Sequence, residues 1–225
     1  MRIWAVSDLH IADDSHLGAL DQFVTLARRH QPDILVLNGD IGDPWKVAWP
    51  QVLETESWWK LCHLVHNRVE QSTIWIPENH DYSAKSKYLP GATLVHGRYD
   101  VGDYTFMHGW QFDISWNLIH RFCFWLSEKY PKLAVTLYQQ LYGKHTPSKL
   151  KYGNSPVAKP EEWNEHVGII HLRARSWAKR NNRRLLIGHT HCPTPFDGLI
   201  ADSGDFLDSF SWLEIEDNEV RLLGL

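Results

Sequence analysis

The stretch Ile74-Trp75-Ile76-Pro77-Glu78-Asn79-His80-Asp81 runs from apolar side chains straight into four that can ligate metal or move protons. The apolar part, broken at Pro77, reads as the end of a buried strand. The same arrangement recurs along the chain. Residues 3–7 (IWAVS) lead into Asp8-Leu9-His10, and residues 34–38 (ILVLN) into Gly39-Asp40-Ile41-Gly42-Asp43. Residues 104–107 (YTFM) lead into His108-Gly109, and residues 185–187 (LLI) into Gly188-His189-Thr190-His191. Polar clusters that always follow apolar strands point to one shared site, because open α/β sheets bind ligands beyond the carboxyl ends of their strands.

The intervening segments support that sheet. Leu17, Leu20, Val24 and Ala27 recur at helical spacing, with Ser15 as the expected N-cap. Trp58, Cys62, Val65 and Val69 mark a second helix. The resulting β-α-β-α-β order predicts an α/β domain whose first sheet contains parallel strands. Short, turn-separated strands are expected around residues 93–108, and strands resume from 184, closing in a hairpin at Asp217-Asn218. Between them, residues 110–180 read as a helical insertion. It has an apolar stripe at Leu118, Phe122, Trp125 and Leu126 and another at Trp163, Val167, Ile170, Ala174 and Trp177. Strands on both sides of this insertion must pair, so residues 1–225 read as one domain with a cap at about 110–180.

Composition narrows the classes. The 225 residues are 43% hydrophobic and 22% charged, enough to bury a real core. A net charge of −4 supplies no basic field for nucleic acid. Cys62, Cys123 and Cys192 form no C-x-x-C pair, as suits free thiols in a reducing compartment. No run of about 18 uncharged apolar residues exists to span a membrane. Met1–Val6 passes directly into Ser7-Asp8 without a cleavage-type pattern, so a cytoplasmic location is expected.

The strand-end clusters supply at least two Asp, four His and one Asn. Side chains at i and i+2 of extended chain point the same way, which would aim Asp8 with His10 and His189 with His191. Three or four such groups satisfy one zinc; seven, with a shared carboxylate, suit two ions. Mixed imidazole, carboxylate and amide ligands without thiolate favour manganese, iron, zinc or cobalt. Taken alone, Asp8 or Asp40 could merely cap a turn, and His108 could be a satisfied core histidine. The clusters together argue for metal.

In this order, DLH, GDIGD, ENHD, MHG and GHTH resemble the motifs of the calcineurin-like metallophosphoesterases. The resemblance implies a four-layer α-β-β-α sandwich of two mixed sheets. It implies two divalent ions, most simply Mn2+, and hydrolysis of a phosphomonoester, phosphodiester or pyrophosphate by metal-bound hydroxide. By the same resemblance Asp8, His10 and His191 hold the first ion, Asn79, His108 and His189 the second, and Asp40 bridges them. His80 would act on the substrate phosphate, Asp81 would orient His80, and Asp43 would support the ligands. Glu78 stands where the family usually has Gly. It is expected to keep an ordinary φ and to lean outward or bond a neighbouring loop, the alternatives being a further carboxylate near the metals or a narrowed substrate entry.

HGWQFD (108–113), followed by a helical stretch and GHTH, is also similar to the branch that includes UDP-2,3-diacylglucosamine hydrolases. That likeness implies a cap beside the metals, an acyl-chain groove and peripheral membrane contact, with Trp110 as a substrate contact. Trp110 replaces the usual Asp or His, and His80 the usual Arg, so the substrate does not carry over. A nuclease or cyclic-nucleotide phosphodiesterase on the same metals, and a non-catalytic scaffold, are the competing classes; oligomeric state is not legible.

Overall fold

The structure is a computed structural model that describes residues 1–68, 71–113, 126, 129, 130, 133, 136 and 160–224. Two mixed sheets face each other. The first contains β1 (Ile3–Val6), β2 (Ile34–Leu37), β3 (Ser72–Trp75), β4 (Thr93–Leu94), β9 (Ser211–Glu216) and β10 (Glu219–Gly224), in the order β10-β9-β1-β2-β3-β4. β1 to β4 run parallel, whereas β9 is antiparallel to β1 and to β10. The second contains β5 (Tyr99–Val101), β6 (Tyr104–Phe106), β7 (Arg184–Ile187) and β8 (Ile200–Asp202), in sequence order, with only β5 antiparallel to its neighbour.

Strand alternation sorts the apolar side chains into three separate cores. Ile3, Ala5, Val36 and Ile74 point from the first sheet towards Tyr104, Phe106, Leu186 and Ala201 of the second. The opposite faces of the same strands present Trp4, Val6, Leu35, Leu37 and Trp75 to helices α1 (Leu17–His30) and α3 (Glu56–His66). The far side of the second sheet presents Leu185, Ile187 and Ile200 to Ile170, Ala174 and Ala178 of helix α4 (Pro160–Asn181). Helix, sheet, sheet and helix thus make the α-β-β-α order. Strands buried on both faces lack polar alternation, which is why each reads as a short continuous apolar run.

Of the 12 tryptophans, Trp4, Trp49, Trp58, Trp75 and Trp212 are buried in the core between the first sheet and its helices. The rings of Trp58 and Trp75 lie 5.7 Å apart, those of Trp49 and Trp58 5.5 Å, and those of Trp4 and Trp212 5.3 Å. Each fully buried ring contributes on the order of 1.5–3 kcal/mol relative to exposure. Trp49 sits in α2 (Trp49–Leu53), a short helix that no periodicity announced. The β9–β10 turn is the anticipated hairpin, with Asp217 and Asn218 at φ 52° and 64°.

Two expectations change. Ser15 does not cap α1: its N–H donates to Asp13 Oδ1 at 2.8 Å, and His16 occupies the cap without a side-chain bond. Within residues 110–180, α4 is the outer layer of the sandwich, because its apolar stripe faces β7 and β8. Most of the stripe at Leu118, Phe122 and Trp125, and the loop beyond it, lie outside the described residues. No described helix is long and apolar enough to cross a membrane.

Candidate metal centre

The parallel strands β1, β2 and β3 and, from the other sheet, β6 and β7 deliver their terminal loops to one place. Backbone bonds lace these loops together. Asp8 N–H donates to Gly39 O at 3.1 Å, His10 N–H to Asp40 O at 2.9 Å, and Gly188 N–H to His108 O at 2.7 Å. Asn38 Nδ2 donates across the two sheets to Met107 O at 3.0 Å.

The local geometry is not extended chain. Asp8, His10, Asp40, His189 and His191 have φ of 57°, 42°, 56°, 71° and 56°. Left-handed backbone at non-glycine residues is uncommon and costs free energy, and it persists where the surroundings over-determine it. Asp8 and His10 converge because the chain coils back at each, not through the i, i+2 register of a strand. The same holds for His189 and His191.

Three overlapping groups of ligating atoms result, each with its atoms within 4.8 Å of one another: Asp8, His10 and His191; His10, Asp40 and His80; Asp40, His108 and His189. His191 Nε2 lies 3.3 Å from Asp8 Oδ1, and His108 Nε2 lies 3.2 Å from Asp40 Oδ2. Four imidazoles have an oxygen partner at their other nitrogen. His10 Nδ1 faces Asp43 at 3.6 Å, His108 Nδ1 faces Asn38 O at 2.8 Å, His191 Nδ1 faces Asp205 at 3.3 Å, and His189 Nε2 faces Asp113 at 3.5 Å. Such partners fix the tautomer and leave one lone pair for a ligand.

Among the described residues, Asp8 Oδ1, Asn79 Oδ1 and His108 Nε2 are buried with no hydrogen-bond partner. Orphaned atoms of this chemistry fit divalent cations.

Electrostatics agree. Burial would raise the Asp8 carboxyl, but His108 and His191 hold it well below the usual range. Asp40 is likewise lowered despite burial, by His108 and His80. Burial disfavours the imidazolium at His10, yet Asp43 and Asp8 lift it to about 9; Asp40 and Asp8 lift His108 to about 10. In the metal-free protein protons hold this charge balance, and a cation would displace them.

The residues around His80 take different parts from those expected. His80 Nδ1 lies 3.0 Å from Asp43 Oδ1, so Asp43 is the carboxylate behind this imidazole. Asp81 instead clamps loops. Its two oxygens accept from Asp40 N and Glu78 N, and from Ile41 N and Trp75 Nε1, at 2.6–3.3 Å. Side chains of adjacent residues diverge, which is why Asp81 cannot back its neighbour. Trp45 Nε1 donates to Asn79 O at 3.1 Å, and its ring lies 5.8 Å from that of His80.

Glu78 is absent from the residues with positive φ, as expected, but it does not lean outward: it is 2% exposed. Its Oε2 accepts from Trp110 Nε1, and burial pushes its carboxyl up to about 8. It belongs to none of the three ligand groups. Trp110 therefore commits its indole N–H to Glu78 rather than offering it to a substrate.

Asp113, Asp205 and Asn38 were not picked out from sequence. The rule of polar residues after apolar strands, applied to β8, would have flagged Asp205. Asp113 stands in the quoted HGWQFD, but nothing local marks it as a partner of His189.

A family model described as calcineurin-like phosphoesterase matches residues 1–193. No curated protein matches the chain. Among solved structures, the Escherichia coli phosphoesterase Yfce aligns with 100% of this chain and 93% of its own, at 14% identity and a TM-score of 0.51, a likeness of fold. A dimetal phosphatase from Danio rerio aligns at 11% identity and TM-score 0.47, over 100% of this chain and 95% of that one. A nuclease MPE from Pseudomonas putida aligns at 18% identity and TM-score 0.38, over 47% of this chain and 53% of that one.

Proposed function

Given that the chain belongs to the calcineurin-like phosphoesterase family, and is thereby a metal-dependent phosphoric ester hydrolase, we propose that Asp8, His10 and His191 hold one divalent ion and Asn79, His108 and His189 the other, with Asp40 shared. The observation that carries this reading is the convergence of ligating atoms in three overlapping groups, two of which contain Asp40. Carboxylate, imidazole and amide donors suit manganese, iron, zinc or cobalt, and manganese is the ion to test first. Bound there, two ions would activate water and neutralise the charge of a phosphate ester.

The chain's own groups supply the rest. His80 is partly open to solvent, its side chain 23% exposed, so the ring can reach a bound ester. Asp43 orients the ring through Nδ1, leaving Nε2 to give a proton to the departing oxygen. Asp81 holds the loops of Asp40 and Glu78 in register and touches no substrate. A phosphomonoester, phosphodiester or pyrophosphate of a small molecule would serve as substrate.

The test is turnover of aryl phosphate monoesters and diesters with added manganese, alongside the metal content. Two ions per chain and metal-dependent hydrolysis are expected, with Asp40→Asn losing both. Full activity and full metal content in Asp40→Asn would refute the assignment, and the ratio of monoester to diester turnover assigns the bond.

A further inference from the structure

Helix α4 reaches the candidate centre from outside through three side chains. His166 Nε2 lies 3.0 Å from Asp113 Oδ2, Arg173 Nη1 donates to Phe112 O at 3.0 Å, and His171 Nε2 lies 2.9 Å from Asp202 Oδ2. Both carboxylates also touch the loop of His189 to His191. Asp113 Oδ2 faces His189 Nε2, and Asp202 Oδ2 accepts from Thr190 Oγ1 at 2.7 Å. Asp113 and Asp202 are 4% and 0% exposed, and neither belongs to the three ligand groups.

We propose that Asp113 and His166 are a positioning pair for His189, so that affinity for the ion held by Asp40, His108 and His189 is coupled to the docking of α4 on the second sheet. With Nε2 turned to Asp113, His189 has only Nδ1 as a ligand. The carboxylate sets the rotation of the ring and strengthens that lone pair. Asp113 is itself held at Oδ2 by His166, while its Oδ1 is buried without a partner. Removing His166 therefore frees the carboxylate to swing towards other donors. The other ion has a contrasting support. Asp205, beside His191, is held by Asp208 N and Ser209 N of its own loop, at 2.6 and 3.1 Å, and among the described residues no hydrogen bond joins it to α4. Asp205 is thus an internal control.

The inference rests on the dimetal reading. The test uses the full chain, stripped of metal and titrated with manganese, with each ion's affinity read by calorimetry. Hydrogen exchange of residues 164–173 is followed in parallel. Wild-type protein should bind two ions, and exchange in that helix should slow as the second site fills. Asp113→Ala should weaken one ion about 10–100-fold, leave the other unchanged and abolish the slowing. His166→Phe should act in the same direction, and His166→Gln, which keeps an N–H donor, should restore most of the affinity. Asp205→Ala should weaken the other ion and keep the slowing. Wild-type affinity for both ions in Asp113→Ala and His166→Phe overturns the coupling, and so does metal-insensitive exchange in the wild type. If Asp113→Ala does not fold, His166→Phe decides, since its side chain is 22% exposed and tolerates replacement. Fewer than two ions in the wild type would overturn the dimetal reading, and this inference with it.

Discussion

Replacing Gly39 by alanine tests whether the His108 ring is seated where the site needs it. Gly39 has φ +88°, and a Cβ there would lie 2.4 Å from His108 Cγ and 2.5 Å from its Nδ1. Two costs follow. Left-handed backbone at alanine costs about 1–2 kcal/mol. Forcing the ring away from the backbone adds overpacking strain of about 1–3 kcal/mol, and it stretches the 2.8 Å bond from His108 Nδ1 to Asn38 O. Gly97 isolates the second cost, because its φ is +85° and nothing lies within 4 Å of its added Cβ. Gly97→Ala should therefore cost only the backbone term. The difference between the variants corresponds to about 2–12 °C in melting temperature for a chain of this size. Thermal melts in chelator read this difference without interference from metal binding. A manganese titration should then show weakened binding in Gly39→Ala alone. Equal melting temperatures for the two variants would mean that the ring does not lie over Gly39, and the geometry drawn for His108 would fall.

The remaining predictions concern charge. An imidazole raised in the fold stabilises it fully below its unfolded pKa and ceases to do so as pH passes the raised value. With His10 at about 9 and His108 at about 10, the metal-free protein should lose melting temperature between pH 6.5 and 10, and a flat or rising profile would contradict the site electrostatics. Glu78, raised by burial to about 8, keeps in the fold a proton that the unfolded chain releases above about pH 4.5. Glu78→Gln should accordingly match wild type near pH 4 and melt higher by pH 8; identical profiles would place Glu78 in solvent. Asp43→Asn, assayed at saturating manganese, should lower kcat on an aryl phosphate about 100-fold with little change in KM, and an unchanged kcat would remove Asp43 from behind His80.

The sheets were legible because strands buried on two faces leave a plain record of apolar residues, and each such run ended in its polar cluster. α1 and α3 were legible from period, and the Asp217-Asn218 turn from its residue types. The site residues were legible by type but not by arrangement. Nothing in Asp8-Leu9-His10 signals left-handed backbone, since neither residue is glycine; the loops around them impose it. Asp81 was misread because adjacency along the chain was taken for adjacency in space, whereas His80 meets Asp43 from another strand end. Asp113 escaped for the same reason, meeting its histidine only through the fold, whereas Asp205 follows an apolar strand as the other clusters do and was passed over. Glu78 shows the limit at one position. Its ordinary φ followed from its type, but its burial depends on Trp110, 32 residues away.

The pairing of β1 with β9 joins Ile3 to Ile215. β1 therefore waits until β9 has been made before its second edge is covered. Until then β1 and the parallel strands beside it present an unpaired apolar edge, the kind of surface on which partly made chains associate. Contacts of such sequence separation also slow the final step of folding, because the loop between them must close before any pairing is gained. The loops bearing Asp8 and His189 belong to different sheets, so the last-formed part of the molecule and its metal centre should mature together. Metal supplied during refolding would then act on yield as well as on activity.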